Sequence, residues 1–199
     1  MQCIYKIIKM KTAEQQIEFI EEMIATAKGN IGEGSIFYLI WGWSVFIAAG
    51  INYYLLNVAQ TDLHWLPWPI GMTLAGLLSM IVGFKKGKQG GAKSHLENFL
   101  GSLWLGFIIT LFVVLSGMWV VGYEATYPIL MALYGFGTFA SGRMLKFKPL
   151  MIGGVCAWIC AILSFYYPFS EQLIFIAVAI LTAYIIPGHL LAAQNQKNG

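Results

Sequence analysis

Six long runs of apolar residues, nearly free of charge, constrain the fold of this chain more than any other feature. They cover approximately residues 35–56, 66–84, 99–121, 127–145, 150–167 and 173–191. A bilayer core of about 30 Å is crossed by a helix of about 20 residues, so each run matches one crossing. Backbone amides in hydrocarbon must pair within their own segment, as they do in a helix. The sequence therefore predicts an all-α membrane protein whose residues 34–192 form a bundle of six transmembrane helices.

The small share of charged residues indicates the same environment. Charged residues make up 11% of the chain and hydrophobic residues 58%, whereas soluble domains carry about 25% charged residues. A water-soluble globule of 199 residues could not cover its surface with so few charges, so the lipid bilayer is the expected surrounding. The net charge of +3 is small and its cations lie between apolar runs. We therefore expect no nucleic-acid partner.

The positions of the basic residues predict the orientation of the bundle. All twelve fall before the first run, in or directly beside the second and fourth loops, or after the last run: Lys6, Lys9, Lys11, Lys28, Lys85, Lys86, Lys88, Lys93, Arg143, Lys146, Lys148 and Lys197. The alternate loops hold Asp62, Glu124 and Glu171 and no cation. Because Lys and Arg are concentrated on the cytoplasmic side of membrane proteins, the N-terminus and the tail 193–199 are predicted to be cytoplasmic.

An internal repeat is visible in the second and fourth runs. Residues 68–72 read Trp-Pro-Ile-Gly-Met, and residues 127–131 read Tyr-Pro-Ile-Leu-Met. Without a gap, Gly76 then matches Gly135 and Gly83 matches Gly142. Small residues spaced along one face let helices approach closely in lipid. The pattern predicts repeated two-helix hairpins, the last two runs forming a third and more diverged one.

The cytoplasmic segment 1–33, for which Met1 and Met10 are both candidate starts, contains one well-marked helix. Thr12 and Gln15 fit a capping box, and a glycine follows Lys28. Between them an apolar stripe recurs at helical spacing, Ala13, Ile17, Ile20, Ile24 and Ala27, among four glutamates. An acidic helix is repelled by the anionic inner leaflet. Helix 12–28 is therefore predicted to contact protein: a cytoplasmic partner, a second copy, or the basic loops of its own bundle.

The candidate site residues are few, because no ionisable residue lies at mid-depth in any run. Glu33, Arg143 and His189 share a depth near the cytoplasmic ends and form a possible polar cluster, while the alternative for Arg143 is snorkelling to head groups. Asn52 is the polar residue that helix packing explains least, and it is a possible cavity residue. Pro187-Gly188 is expected to kink or end the last helix.

No enzymatic motif is present. The chain lacks H-E-x-x-H, G-x-S-x-G, the Walker lysine motif and a dinucleotide glycine fingerprint after a strand. Cys156 and Cys160, one helical turn apart in an apolar run, are expected to act as small hydrophobes. We therefore predict a non-enzymatic protein with no catalytic residue, no cofactor and no metal site.

Four stretches resemble an uncharacterised bacterial family of small six-span integral membrane proteins. They are Trp41-Gly42-Trp43, the segments 134–142 and 146–154, and Ile186-Pro187-Gly188, and the resemblance runs from about Glu21 to Leu191. It implies a multi-pass protein of the bacterial cytoplasmic (inner) membrane. No activity is established for the family, so it implies no catalytic or binding residues.

Two classes of function remain open. In the first, the protein is a membrane subunit or sensor whose acidic helix contacts a cytoplasmic partner. In the second, it is a small transporter or channel for a neutral or apolar solute. Proton-coupled transport is disfavoured, because it normally uses ionisable residues at mid-membrane and this chain has none. A cavity lined by Asn52 and the deeper Ser and Thr residues would favour transport, and a solid core would favour the first class.

Overall fold

The computed structural model describes residues 34–88 and 95–198, and these form helices with no strand among them. In chain order the helices are α1 (Ser35–Asn57), α2 (Pro67–Lys88), α3 (His95–Val121), α4 (Tyr123–Met144), α5 (Lys148–Ser164), α6 (Phe169–Ile180), a π-helical turn (Leu181–Ile185) and α7 (Ile186–Asn198). The predicted helix 12–28 and Glu33 lie outside the described residues. The prediction of an all-α fold is confirmed for the described residues.

Four helices are long and apolar enough to cross a membrane: Ser35–Asn57, Pro67–Lys85, Asn98–Val121 and Phe169–Gln194. The remaining two predicted crossings, 127–145 and 150–167, correspond to α4 and α5. The α5 helix has only 17 residues, and α4 contains glycine, threonine, serine and arginine, which lower its hydropathy. Length and hydropathy alone therefore identify four spans rather than six.

The elements α6, the π-helical turn and α7 form one continuous helix, called the last helix below, and it lies at the centre of the bundle. It packs against α1 on one side and α5 on another, and α4 and α5 form the closest pair. The α2 helix packs on α1, and α3 packs on α4, at the periphery. In the most apolar stretch of each helix, only 6% of the residues are buried in α2 and in α3, against 39% in α1 and 50% in the last helix. The core is thus made by α1, α4, α5 and the last helix.

The charged residues define two ends of this bundle. One end, the acidic end, carries Asp62, Glu124 and Glu171; the other, the basic end, carries Lys85, Arg143, Lys146 and Lys148. The side chains of all seven are exposed. Among the side chains that the structure describes no ion pair forms, because the acidic and the basic ones lie at opposite ends of the helices.

Glycines bring the backbones of α4 and α5 into direct contact. A Cβ on Gly142 would lie 2.7 Å from the backbone nitrogen of Met151, and one on Gly154 would lie 2.8 Å from the carbonyl oxygen of Gly135. Their counterparts in the sequence repeat are placed differently, since Gly76 and Gly83 of α2 have no atom within 4 Å of such a Cβ. The two similar helices therefore use their glycines in different surroundings.

The last helix continues past Pro187 instead of ending there. The backbone N–H of Ile186 donates to the carbonyl of Leu181, five residues back, and Pro187 has no N–H to offer the carbonyl of Ala183. A proline ring clashes with the carbonyl four residues earlier in a regular α-helix. The wider π-helical turn relieves that clash, so the predicted disturbance takes the form of a change in helical register.

Candidate functional site: polar and aromatic clusters inside the bundle

Asn52, the predicted cavity residue, is buried near the acidic end, with 1% of its surface exposed. One atom of its amide lies 2.7 Å from Trp68 Nε1, and the other lies 3.0 Å from the carbonyl oxygen of His64 and 3.2 Å from His64 Nδ1. An indole N–H only donates, so the atom facing Trp68 is assigned as the oxygen. The amide nitrogen then donates to His64, and Nδ1 is assigned as an acceptor.

These contacts attach the α1–α2 connection to the bundle. The ring of His64 packs on Phe169 at 6.2 Å between centroids, and the ring of Trp68 meets that of Tyr127 edge-on at 5.6 Å. The Tyr127 hydroxyl interacts with Asn52 as well. Asn52 therefore joins residues from α1, α2, α4 and the α1–α2 connection, and each polar atom of its amide has a protein partner.

Gln172, which the sequence reasoning missed, holds three helix ends together. Its Nε2 lies 2.9 Å from the carbonyl oxygen of Glu124 and 3.1 Å from those of Ser164 and Tyr167. Only 1% of its surface is exposed. A glutamine beside Glu171 at the start of an apolar run looks like an interfacial residue. It is buried because the start of α4 lies close to the end of α5, and the sequence does not reveal that approach.

Five rings from four helices form an aromatic cluster in the half of the bundle nearer the basic end: Tyr38, Trp104, Phe107, Tyr134 and Tyr184. Tyr184 belongs to the π-helical turn, and its ring lies 5.7 Å from those of both Tyr38 and Tyr134. Trp104 joins them at 5.8 Å from Tyr38 and 6.1 Å from Tyr184. All but Trp104 are buried. Edge-on packing at such distances stabilises aromatic groups beyond their buried area.

Two hydroxyls beside this aromatic cluster have no hydrogen-bond partner among the described residues. They are Tyr184 Oη and Ser141 Oγ, and their residues are 2% and 0% exposed. The cluster thus carries polar atoms whose bonding capacity the described protein groups do not use.

The predicted polar cluster of Glu33, Arg143 and His189 is placed only in part. Arg143 lies in the last turn of α4 with its side chain exposed. His189 in α7 is exposed and packs on Trp43, with 6.5 Å between ring centroids. Arg143 makes no ion pair within the described ranges, and Glu33 lies outside them. The structure brings His189 to an aromatic ring of α1 and leaves Arg143 at the surface of the basic end.

The described residues contain no group of three or more His, Cys, Asp or Glu side chains that could hold a metal ion. Cys156 and Cys160 are free thiols on α5, the second of them buried. A pair of thiols without a third ligand is a poor zinc site.

No protein-family model, curated protein or solved structure matches this chain. The resemblance to the bacterial family of six-span membrane proteins therefore stays a prediction.

Proposed function

We propose that this chain is a non-enzymatic integral membrane subunit or sensor that contacts a cytoplasmic partner. It crosses the bacterial inner membrane six times, as repeated two-helix hairpins, with its N-terminus and C-terminus in the cytoplasm. The observation that carries the proposal is the use of polar groups inside the bundle. Asn52 and the threonines bind the protein itself, as expected of a structural bundle rather than of a solute path. The exceptions within the described ranges are buried oxygens of Ser79, Ser141, Ser164, Gln172 and Tyr184.

The deeper hydroxyls support this reading. Thr73 donates to the carbonyl of Pro69 at 2.6 Å, Thr110 to that of Gly106 at 2.8 Å, and Thr182 to that of Val178 at 2.9 Å. Such bonds back to the preceding turn satisfy a hydroxyl in a helix without any ligand. Asn52 has protein partners at both atoms of its amide. The threonines therefore need no solute to satisfy them, and Asn52 links α1 to α2 and to the α1–α2 connection.

The helix lengths support six crossings. At 1.5 Å per residue, the 22 residues of α4 span about 33 Å and the 17 residues of α5 span about 26 Å. A hydrocarbon core of about 30 Å adapts to a slightly short helix at modest cost. Six crossings also place every cation of the chain on one side, as the positive-inside rule requires.

The proposed contact with a cytoplasmic partner rests on charge and amphipathicity. At the basic end Lys85, Arg143, Lys146 and Lys148 are exposed and have no acidic partner among the described residues. The sequence 12–28 offers glutamates and an apolar stripe. Opposite charges at two surfaces favour their encounter. Residues 12–28 are proposed to bind a cytoplasmic protein, or a second copy, against this end of the bundle.

A pull-down in mild detergent tests the proposal. The full chain and a chain lacking residues 1–30 are compared for a stoichiometric partner, and two differently tagged copies of the full chain report self-association. A variant with Ile17→Asp and Ile20→Asp removes the stripe at constant length, and Gln16→Ala, which lies outside both the stripe and the glutamates, is the matched control. Loss of the partner on truncation and in the stripe variant supports the proposal. A partner that is retained by both, or the lack of any partner, contradicts it.

A second candidate function is a small transporter or channel for a neutral or apolar solute. The unpaired hydroxyls of Tyr184 and Ser141 favour it, because they are polar groups in the interior with bonding capacity to spare. Flux of neutral solutes into vesicles that contain the purified protein distinguishes the two. Flux that is abolished by Tyr184→Phe would support transport over the subunit or sensor.

A further inference from the structure

We propose that protonation of His64 releases the connection between α1 and α2, residues 58–66, from Asn52 at the acidic end of the bundle. The neutral ring binds the Asn52 amide, and the protonated ring does not fit there. This pH-sensitive contact lies at the opposite end from the proposed partner surface and does not depend on that function. Only the side of the membrane on which acid acts rests on the proposed topology, which puts the acidic end outside the cytoplasm.

Two partners fix the orientation of the Asn52 amide without any contribution from the imidazole. The Trp68 indole N–H, 2.7 Å from one amide atom, can only donate, and the backbone carbonyl of His64, 3.0 Å from the other, can only accept. The amide oxygen therefore faces Trp68 and the amide nitrogen faces His64. Reversing the amide would place two donors together at Trp68 and two acceptors together at the His64 carbonyl.

The amide nitrogen of Asn52 also lies 3.2 Å from Nδ1 of His64. A neutral imidazole with its proton on Nε2 offers Nδ1 as an acceptor, whereas a protonated imidazole carries a hydrogen on both ring nitrogens. Protonation therefore places one donor against another, and the locked amide cannot turn to accept. The ring of His64 has to leave Asn52 when it takes a proton.

The element that this release affects is held by few contacts. Among the described residues, α2 approaches no helix other than α1 within 8 Å between Cα atoms. Its first turn is held across the bundle by Trp68, which binds Asn52 and packs on Tyr127. The His64 ring joins the connection to the last helix through Phe169. Because segments with few buried contacts open at low cost, release of the ring is expected to free the connection and the start of α2.

The direction of the pH effect follows from the groups around His64. The ionisable side chains on the elements at this end are Tyr53, Tyr54, Asp62, Tyr123, Glu124, Tyr127 and Glu171. The three carboxylates are exposed, and none forms an ion pair with the ring within the described ranges. Histidine is the residue type that ordinarily gains charge between pH 8 and pH 5. The contact with Asn52 thus stabilises the protein at pH 8, where the ring is neutral, and is lost as the pH falls.

Thermal unfolding of the full chain in detergent at pH 8 and pH 5 tests the proposal. His64→Asn keeps an acceptor near the position of Nδ1 and cannot take a proton. Between the two pH values, Tm of the unaltered chain should fall by about 2–4 °C more than that of His64→Asn, the shift expected for one hydrogen bond in a chain of this size. At pH 8, His64→Asn should be more stable than His64→Phe, which keeps a ring but has no acceptor. Equal pH dependence of the unaltered chain and His64→Asn overturns the proposal.

Two further variants assign the effect to this contact. Asn52→Ala should remove the same part of the pH dependence, because the partner of the ring is gone. His189→Asn is the matched control, since His189 is exposed on α7 and packs on Trp43, and it should keep the full pH dependence. Loss of the pH dependence in His189→Asn, or its retention in Asn52→Ala, contradicts the assignment to His64 and Asn52.

Hydrogen exchange followed by mass spectrometry locates the release. Protection of residues 61–68, taken relative to an unfolded chain at the same pH, should fall by about three- to tenfold from pH 8 to pH 5, the factor that one hydrogen bond contributes. It should not fall in His64→Asn. The α4–α5 turn, whose amides at Leu145 and Phe147 donate at 2.9 Å to Ser141 and Gly142, is the reference. An equal loss at that turn, or no loss at residues 61–68, refutes a local release.

Discussion

The backbone carbonyl of Thr182 lies against the Cα of Gly153, so closely that a β-carbon at residue 153 would overlap its oxygen. On the other side of the same turn, a β-carbon on Gly42 would lie 3.0 Å from the Cβ of Tyr184 and 3.0 Å from Cγ1 of Ile185. The wide π-helical turn that precedes Pro187 thus fits between α1 and α5 because each presents a glycine there.

Gly153→Ala is therefore expected to lower the free energy of unfolding by about 1–3 kcal/mol, the usual cost of overpacking a core. The backbone of the turn cannot rotate away as a side chain can. Unfolding of the purified protein in detergent measures the change. Gly50→Ala on α1 is the control, since no atom lies within 4 Å of its Cβ position. Equal stabilities of the two variants would contradict the close approach of α5 to the turn.

The two positions matched by the sequence repeat should respond in opposite ways. A Cβ at Gly135 would lie 2.6 Å from Cδ1 of Trp158. Moving that ring would also break its hydrogen bond to the carbonyl of Ala132. Gly135→Ala should cost about 1–3 kcal/mol of unfolding free energy, whereas Gly76→Ala should be neutral or stabilising by up to about 1 kcal/mol through helix propensity. Thermal unfolding of both variants decides, and a destabilising Gly76→Ala would show that α2 packs on a helix at that face.

The cluster around Asn52 should be a stability determinant of the acidic end. Asn52→Ala leaves the Trp68 indole N–H without its acceptor, and losses of this kind cost about 1–3 kcal/mol. Asn57→Ala, which removes only an exposed bond to the carbonyl of Tyr53, is the control. The effects of Asn52→Ala and Trp68→Phe should be non-additive, because each removes the same hydrogen bond. Independent effects in unfolding measurements would contradict the assigned orientation of the amide.

Gln172→Glu should destabilise the protein more than Gln172→Ala. The glutamine donates from Nε2 toward three carbonyl oxygens, and an ionised carboxylate in its place would face the same three acceptors with no proton to share. Burying an unpaired charge costs more than losing a hydrogen bond. The neighbouring exposed Glu171→Gln serves as the control for charge at this end. Unfolding midpoints at neutral pH in which Gln172→Glu is as stable as Gln172→Ala would contradict the contacts of Nε2.

The helices and their ends could be predicted from the sequence because hydropathy over 20 residues is a local property. The burial of Gln172 could not, since it depends on where α4 begins relative to the end of α5. Pro187 was expected to kink or end the last helix, but the helix continues through a π-helical turn that packs against Gly42 and Gly153 of other helices. The tyrosines of the aromatic cluster were missed for the same reason, because no local pattern shows that Tyr38 and Tyr184 meet.

Helix length and hydropathy identify four membrane crossings, whereas the charge pattern predicts six. Polar residues in α4, such as Thr138 and Ser141, are buried against neighbouring helices, and a helix that hides its polar residues in a bundle can cross with low hydropathy. The α4–α5 turn at Lys146 distinguishes the alternatives. It is cytoplasmic if α4 and α5 both cross, and it lies on the side of Glu124 if neither does.

Cysteine accessibility in intact cells measures this directly. In a chain with Cys3, Cys156 and Cys160 replaced, single cysteines at Lys146 and Glu124 are treated with a membrane-impermeant thiol reagent before and after permeabilisation. Six crossings predict that Glu124→Cys reacts in intact cells and that Lys146→Cys reacts only after permeabilisation, with Gln60→Cys and Glu171→Cys behaving like Glu124→Cys. A reactive Lys146→Cys in intact cells would reduce the bundle to four crossings, with α4 and α5 outside the cytoplasm. The basic end would then be divided between the two sides of the membrane, and the proposed surface for residues 12–28 would lose Arg143, Lys146 and Lys148.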